Sequence, residues 1–122
     1  MPEAARHVLI VDDEPMILTL LEKMLRSRNF RIQAVPKASE ALLIAENEPV
    51  HVLITDISMP EMDGLKLAEK FLKLHPEAYV LLISGHYRDK PARSKSDRIR
   101  FLGKPFFPSD LLQTLREMFP DL

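Results

Sequence analysis

At 122 residues the chain suits one domain with one core, a size at which folding removes about two thirds of the unfolded surface from water. Seventeen basic residues against eighteen acidic leave a net charge of −1, so nothing global draws the chain to nucleic acid or to an anionic membrane. The absence of cysteine excludes disulfides, thiolate metal sites and thiol nucleophiles and fits a cytoplasmic protein. The longest apolar runs are strand-length, short of the roughly 20 residues of a membrane span, and the opening MPEAARH lacks an apolar signal core.

Strand-like and helix-like patterns alternate from end to end without a repeat or a low-complexity linker. Residues 7–11 form a continuous apolar run, and residues 15–28 come next as a helix with Met16, Ile17, Leu20, Leu21, Met24 and Leu25 at helical spacing and Pro15 at its first position. A short strand at 31–35 precedes a helix at 39–47, for which Ser39 is a candidate cap. Residues 50–55 read as the third strand. A loop containing Met59, Pro60 and Gly64 leads to a helix at 65–74, which Pro76 ends. The fourth strand, 79–83, is the most purely apolar stretch; the fifth is 99–102, and a last helix covers 109–118 with Ser109 as its candidate cap.

Unbroken apolar strands alternating with about five helices predict a parallel sheet covered on both faces. The crossovers are right-handed, and ligands sit beyond the carboxyl ends of the strands, where the strand order reverses. The polar residue at the end of each strand is therefore decisive. Strand one runs into Asp12 and Asp13, strand three into Asp56, strand four into Ser84 and strand five into Lys104. Taken singly each has an ordinary explanation: an acid between strand and helix caps the helix or answers its dipole, a serine closes a turn, a lysine is solvated. Together they meet on one edge of the sheet. Three carboxylates there repel unless a cation sits among them. With no histidine or cysteine set to favour zinc, a magnesium ion fits, and about −3, +2 and +1 from the acids, the ion and Lys104 nearly cancel. Asp56, alone on a central strand, is the candidate nucleophile toward phosphorus, with Ser84 and Lys104 placed to meet phosphoryl oxygens.

Four segments, VDDE, ITDISMPEMDGL, LLISG and GKPF, carry these groups in this order, and the chain resembles the receiver domain of bacterial two-component response regulators over residues 7–118. The resemblance implies a flavodoxin-like doubly wound α/β sandwich with sheet order 2-1-3-4-5. It implies that Asp56 accepts a phosphoryl group from a phosphohistidine on a partner histidine kinase or histidine phosphotransfer protein. Asp12, Asp13, Asp56 and the Ser58 backbone carbonyl would bind Mg2+, Asp12 through water; Ser84 and Lys104 would contact the phosphoryl group; and the Lys104–Pro105 peptide would be cis. Such a domain catalyses its own phosphorylation and dephosphorylation and is not a turnover enzyme. Phe101 would be the aromatic switch residue, repacking with the face formed by the fourth helix, fifth strand and last helix, while Ser58 and His86 lie where receivers tune phosphoryl lifetime.

The expected organisation is a single receiver domain, 1–122 with its core at 7–119 and no output domain, acting on a downstream protein or a flanking output domain. Two other readings stand beside it. A pseudo-receiver would serve as an interaction module without phosphorylation. A phosphohydrolase of the haloacid-dehalogenase type would need a second Asp where this chain has Ser58.

The chain departs from the family pattern between strands four and five. Residues 86–98 contain only Tyr87 and Ala92 as apolar residues, and Pro91 interrupts any helix there, so the fourth helix is expected to be short, irregular or mobile. Residues 88–100 hold six basic side chains against two acidic ones, a formal +4, which reads as a solvated loop or as a docking surface for an acidic partner. Gly85 stands where alanine is usual and loosens the loop after Ser84. His7, His51, His75 and His86 are scattered along the sequence and read as solvent-facing or internally satisfied rather than as metal ligands.

Overall fold

The computed structural model describes residues 6–26, 30–85 and 98–118. In chain order the elements are β1 (Arg6–Val11), α1 (Pro15–Arg26), β2 (Phe30–Val35), α2 (Ala38–Asn47), β3 (Val52–Asp56), α3 (Gly64–Leu74), β4 (Tyr79–Ser84), β5 (Ile99–Gly103) and α4 (Pro108–Met118). The five strands are all parallel, in the order β2-β1-β3-β4-β5, as the alternation required. Four helices are present among the described residues. The expected irregular helix lies outside them, except for Arg98 at its end.

The unbroken apolar runs are explained by alternation across a sheet buried on both sides. Leu9, Val11, Leu53, Val80 and Leu82 pack with Ala38, Ala41, Ala45, Leu67, Ala68 and Phe71 of α2 and α3. Their strand neighbours Val8, Ile10, Val52, Ile54, Leu81 and Ile83 face the other way, onto Leu21 and Leu25 of α1 and Leu111, Leu115 and Met118 of α4. The three alanines of α2 recur at helical spacing and are all buried, which lets that helix lie close to the sheet.

Both candidate serine caps are corrected. α2 begins at Ala38, so Ser39 is already inside the helix, and Lys37 at the cap position offers no side-chain bond. α4 begins at Pro108, the favoured first residue, and Asp110 Oδ2 accepts from the Phe107 N–H at 2.8 Å; the capping acid lies inside the helix and reaches back. Asp63 caps α3 by accepting from the Lys66 N–H at 2.8 Å.

The fold also gathers three of the four histidines at the amino ends of the strands. His7 Nδ1 lies 2.8 Å from the Pro49 carbonyl, His51 Nδ1 accepts from the His7 backbone N–H at 2.9 Å, and His75 Nε2 lies 2.7 Å from the Ala45 carbonyl. Each ring ties together backbone that is distant in sequence. Burial, with Arg6 nearby, holds His51 below the usual imidazole range, as suits a ring whose Nδ1 must stay unprotonated to accept. His86 lies outside the described residues.

Candidate functional site

β1 lies between β2 and β3, so the chain leaves it toward opposite sides and opens a crevice at the carboxyl ends of β1 and β3. The pairing of Val11 with Thr55, Asp56 with Ile83 and Ser84 with Gly103 delivers Asp12, Asp56, Ser84 and Lys104 to that end. Asp12, Asp56 and Ser84 are buried, Lys104 and Phe101 are half-buried, and Asp13 and Ser58 are exposed. Phe101 packs against the core beneath α2 and α3. The Lys104–Pro105 peptide is cis.

Asp12, Asp13 and Asp56 each offer a carboxylate oxygen within 4.8 Å of the others. Lys104 Nζ stands 3.7 Å from Asp56 Oδ2 and 3.9 Å from Asp12 Oδ2, near enough for Coulombic attraction but too far for a hydrogen bond to either. Asp12 Oδ1 accepts from the Glu14 N–H at 2.9 Å, whereas its buried Oδ2 has no hydrogen-bond partner among the described residues. Burial pushes the Asp12 carboxyl up to about 6, a rise that the Glu14 N–H and Lys104 only partly offset. Burial likewise raises Asp56, against the opposing pull of Lys104 and of the Ser58 and Ile57 N–H groups.

This arrangement can hold a metal ion. Its donors are all carboxylate oxygens, the set that hard cations prefer. The unpartnered, deeply buried Asp12 Oδ2 is the atom such an ion would satisfy.

Without a metal the buried acid works against stability. Because the folded-state value for Asp12 lies above its ordinary 3.8, ionised Asp12 costs stability above about pH 6, and the cost fades as pH falls toward 3.8. Asp12→Asn keeps the acceptor for the Glu14 N–H and removes the charge. In chelator at pH 7.5 it is expected to be more stable than wild type by about 1–3 kcal/mol, the gap closing below pH 4; urea unfolding that showed a less stable variant would refute this account of the site.

Two residues outside the expected site set shape it. A Cβ on Gly64 would lie 2.2 Å from the Asp56 carbonyl oxygen and 2.9 Å from Ile57 Cα, so the start of α3 touches the end of β3 in a way only glycine allows. Glu61 accepts from the backbone N–H of Ser39 at 2.8 Å and from its hydroxyl at 3.2 Å. The turn signal in MDGL could have marked the glycine; nothing local marks a bond across 22 residues. A Cβ on Gly85, by contrast, would meet nothing within 4 Å among the described residues.

Residues 8–116 match the model of the response regulator receiver domain. The transcriptional regulatory protein GlrR of Escherichia coli K12 is 31% identical over 117 residues, which cover 94% of this chain and 26% of GlrR; the chain thus spans about a quarter of that relative. The two-component response regulator ORR3 of rice, Oryza sativa subsp. indica, is 34% identical over 116 residues, 91% of this chain and 88% of ORR3. Among solved structures, the two component transcriptional regulator AraC from Clostridium phytofermentans ISDg superposes with a TM-score of 0.81 at 31% identity, covering 95% of this chain and 93% of that one.

Proposed function

Since the chain belongs to the response regulator receiver domain family, we propose that Asp56 is the residue that takes the phosphoryl group, from a phosphohistidine on a partner histidine kinase or phosphotransfer protein. A carboxylate oxygen of Asp56 forms the new O–P bond as the N–P bond of the donor breaks, and the imidazole leaves with the electron pair. Lys104, 3.7 Å from Asp56 Oδ2, meets the negative charge of the incoming phosphoryl oxygens, and Ser84, the last residue of β4, supplies a hydroxyl donor to another. Asp12, Asp13, Asp56 and the Ser58 carbonyl would hold Mg2+, which supplies positive charge against the carboxylates and the transferring group. The single observation that supports this reading most is the buried Asp12 Oδ2, which has no hydrogen bond among the described residues, beside Asp56 and Lys104.

The domain works as a switch between two populations. The phosphoryl group adds negative charge and acceptor oxygens on Asp56, drawing Ser84 and Lys104 inward, and Phe101 on β5 repacks with them. A few kcal/mol of differential contact suffices to shift such an equilibrium. The readout passes to a downstream protein or a flanking output domain, in the cytoplasm. No described helix is long and apolar enough to cross a membrane.

The test is intact-protein mass after incubation with acetyl phosphate, in Mg2+ and in chelator. The expected result is a gain of one phosphoryl group in Mg2+ alone. A folded protein that gains none would leave the interaction-module reading in its place.

A further inference from the structure

The loop between β3 and α3, residues 57–63, carries the Ser58 carbonyl and leaves directly from Asp56. Its stem is closed by backbone bonds, from the Ile57 N–H to the Ile83 carbonyl at 3.0 Å and from the Gly64 N–H to the Ile57 carbonyl at 2.8 Å. Its tip is held differently. Residues 59–61, Asp13 and residues 36–38 line a cavity of about 240 Å³, and Met59 and Met62 pack against the apolar core. Thr55 Oγ1 lies 3.8 Å from Met59 Sδ, but its one proton has the nearer acceptor in the Asp56 carbonyl at 3.0 Å, so the sulfur contact holds little. The polar tether is Glu61, an exposed side chain whose two carboxylate oxygens accept from the N–H and the hydroxyl of Ser39. The bond to the Ser39 N–H also serves the first turn of α2, which has no side-chain cap of its own.

We propose that Glu61 is a positioning residue for the acid site: by bonding Ser39 in the first turn of α2, it holds the loop where the Ser58 carbonyl and the Asp56 carboxylate meet one cation. The inference rests on the function proposed above and adds to it a residue outside the ligand set. Without the tether the loop tip keeps only its apolar contacts through Met59 and Met62 and can shift beside the cavity. The Ser58 N–H, which favours the charged form of Asp56, would move with it.

The experiment is Mn2+ binding by calorimetry, with no phosphodonor present, for wild type, Glu61→Ala, Glu61→Gln and Ser39→Ala, alongside urea unfolding in chelator and acetyl phosphate uptake. Glu61→Ala is expected to weaken Mn2+ binding about tenfold, the low end for residues that orient metal ligands. Glu61→Gln retains an oxygen that can accept from the Ser39 N–H and should bind within about twofold of wild type, and Ser39→Ala, which loses only the longer bond, should fall between. If Glu61→Ala binds Mn2+ as wild type does, the proposal fails while the receiver chemistry stands. If Glu61→Gln is as weak as Glu61→Ala, the carboxylate acts through its charge and the positioning role is overturned. If wild type neither binds Mn2+ nor takes up phosphoryl, the proposed function falls and this inference with it. Should Glu61→Ala prove unfolded in chelator, the comparison of Glu61→Gln and Ser39→Ala decides, since a loss at Ser39 that exceeds the loss at Glu61→Gln is expected only if the bond matters.

Discussion

Asp56→Asn is expected to take up no phosphoryl group from acetyl phosphate under conditions in which wild type is expected to gain one. The substitution is close to isosteric. The amide oxygen can still face the Ser58 N–H that favours the charged carboxylate, but the amide lacks the charge and the nucleophilic oxygen that attack on phosphorus needs. Stability is not what the variant should lose, because burial already raises the carboxyl of Asp56 and a neutral side chain there is less costly to bury. Loss of uptake in a protein that unfolds at the wild-type urea concentration therefore reports chemistry rather than folding. Asp12 and Asp13 lie within the same cluster and are the two rivals as acceptor. A phosphoryl group still gained by Asp56→Asn at wild-type yield would assign the chemistry to one of them.

Gly64→Ala should be strongly destabilising although it is a conservative change. Alanine is intrinsically the better helix former by about 1 kcal/mol, and Gly64 has no positive φ to forbid it. Both considerations favour the substitution. Against them stands a contact of 2.2 Å to a main-chain oxygen; no rotamer relieves that, so α3 must retreat or the end of β3 must move. Overpacking of this kind costs about 3 kcal/mol, which outweighs the propensity gain, and it displaces the carbonyl of Asp56 itself. Gly103→Ala is the control, since its Cβ meets nothing within 4 Å and the reduced freedom of the unfolded chain should leave it about as stable as wild type or slightly more so. Urea unfolding of the two variants checks the pair, and equal midpoints would mean that the β3–α3 junction yields more easily than its geometry implies.

Much of the site is legible in the chain because each group is announced locally. Asp12, Asp56, Ser84 and Lys104 each come after an apolar run, and in a parallel sheet the ends of such runs must share one edge. The helix caps are illegible for the opposite reason. A serine ahead of an apolar pattern looks like a cap, but α2 takes its capping oxygens from Glu61 and α4 from Asp110. The histidines show the same limit. Spread through the sequence, His7, His51 and His75 converge on backbone groups at the amino pole because β1 and β3 begin there and α3 ends there.

The order and type of the elements, the parallel sheet and the edge on which the carboxylates gather are all written in the chain, since periodicity and strand ends are properties of neighbouring residues. The packed fold adds that Asp12 is the buried member of the acid pair with an oxygen left unpartnered, that Gly64 must lack a side chain and that Glu61 anchors its loop to α2. Those facts depend on distances between residues far apart along the chain. Such distances exist only once the helices have docked on the two faces of the sheet.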